Sequence, residues 1–164
     1  MLRLNWRTLM KHCFCWPVRV YYEDTDHGGV VYNANYLKFM ERCRTELLRA
    51  QGLEQDSLIN EQDLIFAVRS TQIDFLSPAK FNDQLAVTTE VERASRLRVD
   101  FLQTIFRVKP TKHIIPSGFV EKDAVLQHCD KLSEAKVSVV ALSANTLKPK
   151  RMPEHIFKEL MREH

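Results

Sequence analysis

The apolar positions change period twice along the chain. Residues 18–23, Val-Arg-Val-Tyr-Tyr-Glu, alternate apolar and polar and are rich in β formers, which predicts a strand after Trp16-Pro17. From Asn35 the spacing becomes helical. Tyr36, Phe39, Met40, Cys43, Leu47 and Ala50 form one stripe, with Lys38, Glu41, Arg42, Thr45 and Arg49 mainly on other faces. That helix should stop at Gly52, which suits the left-handed position after a helix end, and at about 1.5 Å per residue it is long enough to cover one face of a sheet. Alternation returns over residues 64–76, 84–93, 97–108 and 135–143. One long helix followed by antiparallel strands is an α+β pattern, satisfied by a buried helix wrapped in a curved sheet of about five strands.

Between the last two strands, residues 109–132 carry Pro110, His113, Pro116, Gly118 and His128, and are too long for a hairpin turn. Their mixed apolar spacing predicts a partly helical insertion. Pro153 opens a terminal helix with Ile156, Phe157, Leu160 and Met161 as its apolar stripe. The expected organisation is a basic extension over residues 1–13, one domain over 14–153 that includes the insertion, and a C-terminal helix over 154–164.

Composition narrows the class. At 164 residues with 45% hydrophobic and 27% charged positions, the chain suits one ordinary globular domain, long enough to need no disulfide or metal staple. A net charge of +3 is too mild to argue for nucleic acid. The charge is local: Arg3, Arg7, Lys11 and Arg19 precede the first acid, Glu23. With Leu2, Leu4, Trp6, Leu9 and Met10, that start suits either a disordered extension or a short amphipathic helix at an anionic membrane surface. It lacks the pattern of a secretory signal. Cys13, Cys15, Cys43 and Cys129 fit neither a CxxC nor a zinc spacing, so free thiols in a reducing, cytoplasmic compartment explain them, and no metal or cofactor is expected. If a strand begins early enough, Cys13 and Cys15 share one of its faces.

Acids, glycines, a strand end and a helix start converge only over Tyr22–Tyr36. A helix start presents unpaired N–H groups and partial positive charge, able to polarise a carbonyl. A carboxylate a few residues earlier, Asp26, can attack that carbonyl carbon or activate a water. Asp24 and Asp26 equally suit turn and capping roles beside Gly28-Gly29.

The run Trp16-Pro17-Val18-Arg19-Val20-Tyr21-Tyr22-Glu23-Asp24-Thr25-Asp26-His27-Gly28-Gly29-Val30-Val31-Tyr32-Asn33 continues through Arg42 and closely resembles the opening of the 4-hydroxybenzoyl-CoA thioesterase-like hotdog family. Within that family it is most similar to the bacterial acyl-CoA thioesterases associated with the Tol-Pal system. Residues 68–78, 83–91 and 135–153 carry the similarity further. The resemblance implies a hotdog fold and metal-free hydrolysis of an acyl-CoA thioester, with an acyl carrier protein as the other possible thioester carrier. Carried over by position, Asp26 is nucleophile or general base, the Asn33 N–H polarises the carbonyl, and Tyr22 lines the pocket. His27, Gly29, Val30 and Tyr32 are the expected substrate-binding neighbours. It also implies a homodimer or homotetramer that buries a sheet edge.

Two departures qualify the expectation. The closest subfamily usually has His where Asn33 stands, and Asn cannot exchange protons near neutral pH. A catalytically weak acyl-binding or scaffold protein tied to envelope lipid metabolism, peripheral to the inner membrane through the basic start, is therefore the alternative. The 109–132 insertion is longer than the family's connection. Arg93, Arg96, Arg98, Lys148, Lys150 and Arg151 are candidates for CoA phosphates, and Glu41 is expected to pair with a nearby Arg on its helix.

Overall fold

A computed structural model describes residues 12–109, 115–123, 127 and 129–162. The amphipathic start over residues 1–11 and the middle of the insertion lie outside them. Among the described residues, six strands form one antiparallel sheet: β1 (His12–Arg19), β2 (Ile65–Phe75), β3 (Gln84–Ala94), β4 (Arg98–Val108), β5 (Gly118–Glu121) and β6 (Cys129–Leu142), in the order β2-β6-β4-β3-β1-β5. Helix α1 (Asn33–Ala50) packs on the sheet's inner face, followed by α2 (Gln55–Gln62), and α3 (Glu154–Leu160) ends the fold.

Helix α1 follows its sequence stripe. Tyr36, Phe39, Met40, Cys43, Leu47 and Leu48 are buried, whereas Ala50, expected on that stripe, is exposed. Gly52 has φ 76°, and Leu53 N–H donates to the Leu48 carbonyl at 2.9 Å with both side chains buried. This is a Schellman ending sealed by an apolar contact. The inner faces of the strands meet α1 with Phe14, Leu85, Val87, Val99, Phe101, Ile105, Val137 and Val139. Ile156 and Leu160 of α3 join the same core.

Two strand expectations need correction. The first strand runs over His12–Arg19, not 18–23, and residues 22–24 form a 3-10 turn in which the Asp24 carboxylate accepts the Tyr21 N–H at 2.8 Å. The chain runs through Pro17 because β5 pairs only with His12–Cys15, leaving β1 open on that side further along. Among the described residues the insertion is helical at residues 122–123 and also supplies β5, and β6 begins within it at Cys129, earlier than the expected 135, pairing with Val108. Ile115, Val120 and Cys129 pack on Cys15, Ala86 and Phe106 in a second apolar cluster on the outer face.

Cys13 and Cys15 do share a face, and with Cys43 they are buried and outside any disulfide. Burial pushes the Cys13 and Cys43 thiols up to about 12 and raises Cys15 as well; Glu90 adds to the effect at Cys13, and a hydrogen bond from Thr89 offsets part of it at Cys43. The thiolate is the reactive form. These three thiols should therefore stay silent to an aromatic disulfide reagent at pH 8 and react only once the protein is unfolded; titration with and without denaturant checks this.

Asp63 closes α2 in a left-handed conformation, φ 47° and ψ 47°. Its carboxylate accepts Ser143 Oγ at 2.8 Å and Asn145 N–H at 2.9 Å, and pairs with Lys150 at 3.2 Å. The Ser143 bond foremost, then the Asn145 and Lys150 contacts, hold it below the usual carboxylate range. A carboxyl lowered in the folded state stabilises it above the unfolded pKa, about 3.9, and loses that contribution as pH falls through the folded value. Asp63→Asn tolerates the backbone but removes the charge, so its urea midpoint should lie below wild type at pH 7, with the gap closing at pH 3 and below.

Candidate active site

The segment joining β1 to α1 is fixed by its own backbone. Asp26 N–H donates to the Val30 carbonyl at 2.9 Å and Gly29 N–H to the Asp26 carbonyl at 3.0 Å, closing a tight turn flanked by the Thr25–Val31 bridge. Gly29 has φ 76°, which a side chain would strain. Gly28 N–H donates to Asp26 Oδ1 at 2.8 Å, and a Cβ at Gly28 would come within 3.1 Å of that oxygen. The two glycines thus let the chain fold back while one carboxylate oxygen is held and the other has no hydrogen-bond partner among the described residues.

Asp24 and Asp26 have different tasks. Asp24 is buried, and its carbonyl accepts Tyr32 N–H and the Asn35 side-chain amide, both at 2.9 Å, so it fixes where α1 starts. Asp26 is exposed at the cleft. Tyr32 precedes the helix with φ −60° and ψ 134° and no side-chain cap, so the leading N–H groups of α1, beginning at Asn33, are not covered by a capping side chain.

A cleft of about 380 Å³ gathers Asp26, Val30, Tyr32 and Asn33 with Tyr36, the last residue of β2, Phe75, and the chain after it, Leu76–Pro78. Four of the residues expected from sequence are therefore together. Tyr22, His27 and Gly29 are exposed and do not line the cleft, and the Tyr22 ring instead packs on Phe81 with centroids 4.6 Å apart. Tyr36 and Phe75–Pro78 were missed: Tyr36 carried only a core signal, and Ser77-Pro78 only a strand-end signal. Tyr36 is buried, accepts the Ala79 N–H on its hydroxyl at 2.9 Å and meets Phe75 edge-on.

None of the six proposed phosphate-binding cations lines this cleft. Arg96 donates to the Met152 carbonyl at 2.6 Å, Arg98 pairs with Asp100 at 2.7 Å and Lys150 is tied to Gln62 and Asp63. Glu41 accepts Thr45 Oγ1 at 2.8 Å, and its charge favours the Arg44 guanidinium on the same helix, with no direct ion pair between them among the described residues.

With this geometry in place, a family model described as the thioesterase superfamily matches residues 28–113. The chain belongs to that superfamily. It is 37% identical to the acyl-CoA thioester hydrolase YbgC of Escherichia coli O157:H7, over 89% of this chain and 94% of that protein. The acyl-CoA thioesterase YbgC of Haemophilus influenzae is also 37% identical, over 90% and 94% of the two chains. Among solved structures, a probable thioesterase from Bartonella henselae aligns with TM-score 0.69 at 30% identity, over 86% of this chain and 99% of that one. The helix wrapped by the antiparallel sheet is the thioesterase hotdog fold, with six strands where about five were expected from the sequence.

Proposed function

We propose that the chain hydrolyses acyl-CoA thioesters to a free acid and CoA, with Asp26 as the acting carboxylate. The observation that carries this reading is the convergence of an exposed, half-satisfied carboxylate and an uncapped helix start in one cleft walled by apolar side chains. With Asp26 as base, its free oxygen takes a proton from water while the water oxygen bonds to the thioester carbon. The carbonyl electron pair moves to oxygen, where the Asn33 N–H meets the developing charge. When the carbonyl re-forms, the C–S bond breaks and the thiolate leaves without needing the proton an amine would require. With Asp26 as nucleophile, its oxygen bonds to the thioester carbon, the C–S bond breaks to release the thiolate and leave a mixed anhydride, and water then cleaves that anhydride to the free acid and the Asp26 carboxylate. Asn33 has no proton to exchange, so its side chain is neither general acid nor general base, and its part is the main-chain N–H.

Turnover of a panel of acyl-CoA and acyl carrier protein thioesters tests the reading. Tight binding of acyl-CoA without product would favour the acyl-binding alternative that Asn33 raises. The unbonded edge of β2, with Val68 51% and Phe75 50% exposed, supports burial against a second copy in a homodimer or dimer of dimers. Light scattering at micromolar concentration should show no monomer; a monomer would overturn this assembly. Three buried thiols outside any disulfide suit a reducing compartment.

A further inference from the structure

The wall of the cleft facing Asp26 is the irregular chain between β2 and β3. Leu76, Ser77 and Pro78 line the cleft, and the chain then turns through Asn82, at φ 68°, into β3. Its first part is held by β6, where the Leu132 carbonyl accepts the Leu76 and Ser77 N–H groups at 2.8 and 3.1 Å, and its second part is anchored on two further sides. From α1, the Tyr36 hydroxyl accepts the Ala79 N–H at 2.9 Å, and from the segment before α1 the Val31 N–H donates to the Ala79 carbonyl at 2.8 Å. From the sheet comes Arg107 of β4. Its Nε donates to Asp83 Oδ2 at 2.8 Å, and its Nη2 donates to the Pro78 carbonyl. Asp83 Oδ2 also accepts the Lys80 N–H at 2.8 Å. One guanidinium thus spans the turn from its far end, Asp83, to the residue that faces the cleft.

Arg107 does not line the cleft itself. Its side chain and that of Asp83 are only 26% and 21% exposed, so the pair is better shielded from water than an ordinary surface ion pair. A rigid planar fork is what two acceptors in different directions require; lysine offers one flexible ammonium. The alternation of β4 marks Arg107 as a strand-end charge and gives no hint of this contact.

We propose that Arg107 is a positioning residue that holds the Pro78 wall and so sets how the cleft fits an acyl chain. This rests on the hydrolytic reading of the Asp26 cleft. Acyl groups long enough to reach the wall depend on the clamp, and an acetyl group does not.

The test compares hexanoyl-CoA with acetyl-CoA in wild type, Arg107→Met and Arg107→Lys. It uses both kcat/KM and the dissociation constants of the matching non-hydrolysable thioether analogues, with urea midpoints as the fold control. In Arg107→Met, kcat/KM for hexanoyl-CoA should fall about tenfold while that for acetyl-CoA changes less than twofold, because displacement of a positioning wall by even about an ångström is costly only where the substrate touches it. Arg107→Lys should recover the urea midpoint through Asp83 but not the selectivity. Equal losses on both substrates, an unchanged ratio, or full recovery of selectivity by lysine would each overturn the proposal. If wild type binds the analogues selectively without turnover and Arg107→Met loses that selectivity, hydrolysis fails and the positioning role stands. If Arg107→Met does not fold, the selectivity of Arg107→Lys alone decides.

Discussion

Asp26→Asn should lower kcat on every acyl-CoA substrate by about a thousandfold or more while changing KM by less than about threefold. The substitution is close to isosteric. The amide oxygen can still accept the Gly28 N–H that now binds Oδ1 at 2.8 Å, so the turn that points the side chain into the cleft should survive. What disappears is the charge and the lone pair able to take a proton from water or attack a carbonyl carbon, and these are needed for the transition state more than for binding. Asp26 is exposed, so the urea midpoint should not move, as for most surface substitutions. Asp24→Ala is the contrasting control. It removes a buried carboxylate that accepts the Tyr21 N–H, so its loss should appear as lower stability. Turnover by Asp26→Asn within threefold of wild type would remove Asp26 from the chemistry and leave the cleft a binding site.

Much of the scaffold for this experiment is legible in sequence, for physical reasons that also mark where legibility stops. The stripe from Tyr36 to Leu47 and the punctuation at Gly52 define α1 because helix periodicity and a left-handed end are local properties. The alternating runs define β2, β3, β4 and the second half of β6 for the same reason. β1 was misplaced because a proline normally signals a strand boundary, and only the partner order shows that the strand has an open side at Pro17. β5 has four residues, too few for a period to declare itself. The site divides in the same way. Asp26 and Asn33 are seven positions apart on one continuous segment, so motif and chemistry could find them together. The opposite wall, Phe75–Pro78, arrives only when β2 returns along the sheet, and Tyr36 serves core and cleft with one side chain. Neither fact is encoded in local pattern.

The second large effect isolates a backbone group. Asn33 is the first residue of α1, and it is the N–H, not the side chain, that is assigned to the thioester oxygen. Proline at the first helical position is well tolerated: its fixed φ suits the helix, and the N–H it lacks has no partner within the helix. The residue before a proline must be extended, and Tyr32 already is, at φ −60° and ψ 134°. Asn33→Pro should therefore keep the fold and the urea midpoint yet lower kcat by about a hundredfold to a thousandfold, the usual cost of one lost oxyanion donor. Asn33→Ala keeps the N–H and removes only the amide, so it should stay within a few fold of wild type. The two variants together separate main chain from side chain. If both lose activity equally, the Asn33 amide holds the substrate or water and the oxyanion is stabilised elsewhere. If neither does, the polarising group is not at this residue. A third variant, Asn33→His, restores the residue usual in the closest subfamily and introduces a group titrating near pH 6.5. A new inflection of its kcat profile near that pH, absent from wild type, would show that the position faces the reacting atoms and that wild type turns over without an exchangeable proton there.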